Sequence, residues 1–193
     1  METTTMDVDA KAEAEILRWR RWAKNEAGRF CPPVPDGCAK AAALEARRAE
    51  LRAEAAAIAD GVGNMLGGGD DCDPGELQRR WFGGCVAYLG ELARAAREAA
   101  DALDPAIASA RAKHDRAQGN IREKLESLGV DFSATPVELA ARVVVASAVR
   151  ESADALRALE LRKSRLVFCQ NKALSARQDA QAARRAMTRG MLA

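Results

Sequence analysis

One histidine, one tyrosine and no Cys-x-x-Cys pair among 193 residues leave little from which to build a reactive centre. A tetrahedral zinc site needs ligands at matched spacing, whereas Cys31 and Cys38 stand seven residues apart, Cys72 and Cys85 thirteen, and Cys169 alone. No metal ligand set is expected. A nucleophile with an imidazole base has only His114 to draw on, and that residue falls inside a helical stripe with no orienting partner in view. Cys31 lies beside Arg29 in a proline-rich loop, where a nearby cation favours a thiolate, yet no candidate base accompanies it. The signatures GxSxG, HExxH and GxxxxGKS/T are missing, and the triple glycine Gly67 to Gly69 precedes acids that repel phosphate. No catalytic, cofactor-binding or metal-binding residue is therefore expected.

Long apolar runs are missing as well. Nothing approaches the ~20 residues that a membrane span requires. Met1 to Asp9 is polar and acidic, lacking both the apolar core of a secretory signal and the Arg-rich, acid-poor character of a transit peptide. Five scattered cysteines, an odd number, suit a reducing compartment better than a disulfide framework. A cytoplasmic or nuclear location is the expectation. Aromatic residues make up only 4% of the chain, and the 48% hydrophobic share is inflated by 43 alanines. Alanine favours helix and buries little surface, so narrow seams between helices are expected in place of a thick sheet-based core.

Proline and glycine are absent where helix is written most plainly. From Thr135 to about Gly190 neither interrupts the chain, and Thr135, Pro136 and Glu138 form an N-cap, a first-turn proline and a capping-box carboxylate. At ~1.5 Å per residue, such a helix is about 80 Å long. Its stripe begins with Leu139, Val143, Ala146, Val149, Ala153 and Leu156; beyond these, Leu166, Val167 and Phe168 shift the apolar side. Three further stripes at alternating three- and four-residue steps precede it. One runs from Ala41 through Leu44, Arg48, Leu51, Ala55 and Ile58, another from Leu77 through Trp81, Cys85, Tyr88 and Leu92, and a third from Ile107 through His114 to Leu128.

These patterns predict an all-α chain of long antiparallel helices with coiled-coil seams, arranged as an extended helical hairpin or bundle. Residues 1–8 read as disordered and 9–60 as a helical hairpin, with helices over about 9–27 and 38–60 and Gly28 closing the first. Residues 61–75 read as a Gly/Asp-rich linker. Residues 76–193 read as a bundle ending in the long helix 135–190, with Gly83 and Gly84 weakening the first turns after the linker.

Two clusters carry candidate function. Around Arg18, Trp19, Arg20, Arg21 and Trp22, interleaved cations and aromatics suit either packing on a neighbouring helix or stacking on an anionic polymer. Arg177, Arg184, Arg185 and Arg189 form a basic end, against an acidic middle of Asp60, Asp70, Asp71, Asp73 and Glu76. The leading expectation is a non-enzymatic scaffold-like subunit that pairs with other helical or coiled-coil subunits of a cytosolic or nuclear complex, as cytoskeletal complexes contain. Its contact residues would be Trp19, Trp22, Leu44, Leu51, Ile58, Trp81, Leu166, Val167 and Phe168. The alternative is a module binding nucleic acid or a microtubule surface through Arg18, Arg20, Arg21, Arg177, Arg184, Arg185 and Arg189.

Overall fold

In the computed structural model the backbone is described for residues 3–66, 73–127 and 136–189, and the side chains for 10–62, 73–120, 123 and 147–189. Among these residues the chain is all-α: α1 (Thr3–Phe30), α2 (Ala41–Leu66), α3 (Pro74–Asp101), α4 (Asp104–Ser127) and α5 (Pro136–Thr188). They form two compact units, Met1–Ala96 with Phe168–Ala193, and Arg97–Val167.

Several boundaries differ from those read along the chain. α1 begins at Thr3, inside the stretch expected to be disordered, and runs past Gly28 to Phe30. A single glycine in a helix costs only about 1 kcal/mol, and the stop comes instead from Pro32 and Pro33. α2 likewise continues through Gly61 to Leu66, so the first part of the expected linker is helical. Residues 67–72 of it lie outside the described residues, as does Thr135. α3 starts at Pro74 because Asp73 caps it: its Oδ1 accepts the Gly75 N–H at 2.9 Å, and its carbonyl accepts the Leu77 N–H at 3.1 Å.

In the first unit, α2 is antiparallel to both α1 and α3. Leu44, Leu51, Ala55, Ile58 and Val62 of α2 are buried, as the stripe requires. Arg48 breaks that stripe by turning to the loop after α1, where its Nε donates to the Cys31 carbonyl at 3.0 Å. The same loop is held by Glu45, which accepts the Val34 N–H at 2.9 Å, and by Tyr88, whose hydroxyl donates to the Pro32 carbonyl at 2.6 Å. The Val34 amide, then Arg48, hold the Glu45 carboxyl below the usual carboxylate range. Gly37 turns the loop at φ 90°, a conformation that disfavours any side chain.

α3 is buried over a wider arc than a heptad seam provides. Trp81, Cys85, Tyr88, Leu92 and Ala96 follow the expected stripe, but Phe82, Leu89, Ala93 and Ala95 are buried too. Such a helix has neighbours on more than one side. Its glycines explain how they come close. A Cβ on Gly84 would stand 2.8 Å from Leu51 Cδ2 and 3.0 Å from Arg47 Nη2. Gly84, read with Gly83 as a weak helix start, is thus a close approach between α2 and α3.

In the second unit, α4 is tied to α5 by polar contacts. Asp104 opens α4 with Pro105 in its first turn and pairs with Lys163, and Arg111 pairs with Glu160 at 2.9 Å.

Candidate functional site

The aromatic residues of the first unit meet in one cluster. Trp22 and Phe30 of α1 approach Trp81 of α3 edge to face, with ring centroids 5.5 Å and 6.3 Å apart, and Phe82 stands 5.0 Å from Trp81. Each such pair contributes about 0.5–1.5 kcal/mol beyond the area it buries. The Trp81 indole N–H donates at 2.7 Å to the Leu51 carbonyl, which leaves no polar atom of that ring unmet. Of the expected partner-contact residues, Leu44, Leu51, Ile58 and Trp81 are therefore interior, and their apolar surface is covered by the chain itself. Trp19 and Trp22 are half-buried, and the Trp19 indole donates to Glu15 at 3.0 Å.

α5 sorts the remaining three. Leu166, one of the residues of the sideways shift, is buried, and so are Ala173 and Ala180, seven and fourteen residues on. Val167 and Phe168, the other two, belong to an outward face. Phe168 is 63% exposed and Val167 37%, joined by Leu161 at 54% and Leu174 at 39%. Lys172 lies over the Phe168 ring at 5.5 Å. Apart from Leu17 of α1, these four are the exposed large apolar residues among those described.

The arginines expected to meet an anionic surface are not equivalent. Arg18 pairs with Glu15 at 3.3 Å and Arg20 with Asp60 at 3.9 Å, both largely in solvent. Such exposed pairs contribute about 0–1 kcal/mol and leave the cations accessible. Arg21, Arg185 and Arg189 are exposed, without an ion pair among the described residues. Arg177, half-buried, and Arg184, itself exposed, lie against α3. Their guanidinium groups come within 3.3 Å and 3.6 Å of where a Cβ would stand on Gly90 and Gly83. The seven-residue spacing of those glycines, matching that of the two arginines in reverse order, is the signal by which sequence could have found this contact.

The groups considered for chemistry have structural partners. Cys31 is buried and its thiol hydrogen-bonds with that of Cys85, which lowers the Cys31 pKa and raises that of Cys85; burial raises Cys85 further. The cations acting on Cys31 are Arg52 and Arg48, whereas Arg29 pairs with Asp179 at 2.7 Å. In the second unit His114 Nδ1 stands 3.0 Å from Ser152 Oγ, and its Nε2 3.1 Å from Gln118 Nε2. The Ser152 hydroxyl donates to the Val149 carbonyl at 2.8 Å. That proton points away from the imidazole, so Nδ1 donates, Nε2 accepts from Gln118, and the ring has no lone pair turned towards the hydroxyl. Among the described residues no group of three or more His, Cys, Asp or Glu side chains is placed to hold a metal ion, and no helix is long and apolar enough to cross a membrane. No protein-family model, curated protein or solved structure matches the chain.

Proposed function

We propose that this protein is a non-enzymatic helical subunit of a larger cytosolic or nuclear assembly, of the kind found in cytoskeletal complexes. It pairs with helices of other subunits, as in a coiled coil, through the outward face of α5. The observation that carries this reading is the exposure of Leu161, Val167, Phe168 and Leu174 on one helix whose opposite stripe, Leu166, Ala173 and Ala180, is buried. Fully burying an exposed Phe ring contributes roughly 1.5–3 kcal/mol, and Phe168, 63% exposed, retains most of that for a partner. From Leu161 to Gln178 the chain has five cations and no acid, so the complementary helix is apolar and acidic. The anionic-polymer alternative, through Arg18, Arg20, Arg21, Arg177, Arg184, Arg185 and Arg189, is the weaker reading, since Arg18 and Arg20 already have carboxylate partners in Glu15 and Asp60.

The test is affinity purification of the full chain from its native cell, in parallel with Phe168→Glu. The expected result is a helical protein recovered at fixed ratio with the native chain and lost with the variant, while both chains keep the same circular dichroism and melting temperature. Recovery indifferent to Phe168→Glu, or a cooperative monomer that retains nothing at fixed ratio, overturns the proposal.

A further inference from the structure

Two thiols of the first unit are enclosed together. Cys31 begins the loop that follows α1, Cys85 lies in the middle of α3, and they are 1% and 0% exposed. Contacts on either side bring them face to face. Phe30, just before Cys31, packs on Phe82 with ring centroids 5.5 Å apart, and Pro32, just after it, accepts from the Tyr88 hydroxyl at 2.6 Å. Phe82 and Tyr88 stand three residues before and three after Cys85, its neighbours along one face of α3. The Cys31 and Cys85 thiols are accordingly in hydrogen-bond contact. Among the described residues no third Cys, His, Asp or Glu stands with them to hold a metal ion. The chemistry left to two adjoining thiols is that of a disulfide.

The two sulfurs are unequal. The hydrogen bond from Cys85, with Arg52 and Arg48 nearby, draws the Cys31 pKa below the ordinary thiol value, while that bond and burial push Cys85 above it. Cys169, although only half-buried, has no such help: burial and then Cys38 raise its pKa. Access comes through the loop. Residues 31–40 are not helical and are held to α2 and α3 by the bonds from Arg48, Glu45 and Tyr88, and such a segment opens more readily than the helices beneath it.

We infer that Cys31 and Cys85 form a reversible disulfide when the chain meets hydrogen peroxide, Cys31 reacting first and Cys85 resolving the product. The Cys31 thiolate attacks one peroxide oxygen: an S–O bond forms, the O–O bond breaks, and the departing hydroxide takes up the proton that Cys31 had released, leaving as water. The Cys85 sulfur then attacks that of Cys31. The S–S bond forms, the S–O bond breaks, and the hydroxide leaves with the Cys85 proton as a second water. The two thiols together lose two electrons, and the peroxide gains them. The bond ties the loop after α1 to α3 and encloses α2 in a covalent ring.

The test treats the reduced full chain with hydrogen peroxide, stops the reaction with catalase, and maps the remaining thiols by alkylation after denaturation and peptide mass spectrometry. The expected product is a pair of peptides joined through Cys31 and Cys85, lighter by two hydrogen atoms and separated again by dithiothreitol. The joined chain should melt at least about 5 °C higher, because the bond restricts the unfolded state across the whole of α2. In Cys85→Ala the oxidised Cys31 has no resolving partner, so dimedone should label Cys31 more heavily than in the native chain; in Cys31→Ala it should leave Cys85 unlabelled. If either variant does not fold, the crosslink map of the native chain decides the matter. Peroxide that joins Cys38 to Cys169 instead, that leaves every thiol open to alkylation, or that makes Cys85 label in Cys31→Ala overturns the inference. A joined chain that melts earlier overturns it too, since the native packing would then not accommodate the bond.

Discussion

The two units use different physics. In the first, Phe30, Trp81, Phe82, Tyr88 and the leucines of α2 and α3 are buried together, and the loop after α1 is pinned by Arg48, Glu45 and Tyr88. In the second, the residues buried among those described are Ala100, Ile107 and Leu166. Its described cross-links are polar: Lys163 to Asp104, Arg111 to Glu160, and His114 to Ser152. Apolar burial is strong and insensitive to salt, whereas exposed ion pairs are weak and screened. Similar helical sequence is thus held by a core in one place and by a laced surface in another.

The widest gap should open with Trp81→Ala. Removing that ring from the aromatic cluster is expected to destabilise the first unit by about 3–5 kcal/mol in denaturant titration. Amide exchange should quicken in α2 and in α3 up to Ala96, and change little in α4; equal loss in α4 would erase the distinction between the units. Next, Gly84→Ala forces a Cβ against Leu51 and Arg47 and should cost roughly 1–3 kcal/mol. Gly119→Ala in α4 meets nothing within 4 Å and should instead gain about 0.5–1 kcal/mol from helix propensity. Opposite signs for the same substitution, measured as shifts in melting temperature, would sharpen the contrast; a gain at Gly84 would break it. The smallest effect belongs to Asp104→Asn. Because Asp104 and Lys163 are both partly in solvent, the loss should stay below about 1 kcal/mol and shrink as salt rises.

Much of the helical layout was legible along the chain. Pro136 opens α5, and Leu44, Leu51, Ala55 and Ile58 of the α2 stripe are buried. These follow from local chemistry: proline tolerates only a helix's first turn, and an apolar period near 3.6 residues marks one face. The glycines were misleading for the same reason. Gly28, Gly61, Gly83 and Gly84 lower local propensity, and propensity alone makes them stops or weak starts. In the folded chain they sit inside helices, where packing outweighs a cost of about 1 kcal/mol each.

The candidate surfaces were less legible, because periodicity reports that a residue is apolar without saying which neighbour covers it. Trp81 and Phe168 look alike on that measure, yet one is enclosed and the other is 63% exposed. Arg177 and Arg185 likewise read as one basic end, while only Arg177 crosses α3.

Composition and spacing by themselves determined that this chain is all helix, since alanine abundance, helix caps and three- and four-residue steps act within a few turns. Which glycines admit a neighbouring helix, which arginines lie across them and which apolar face of α5 is left outward were decided only by tertiary packing. Each of those depends on atoms tens of residues away, and no local preference encodes that distance.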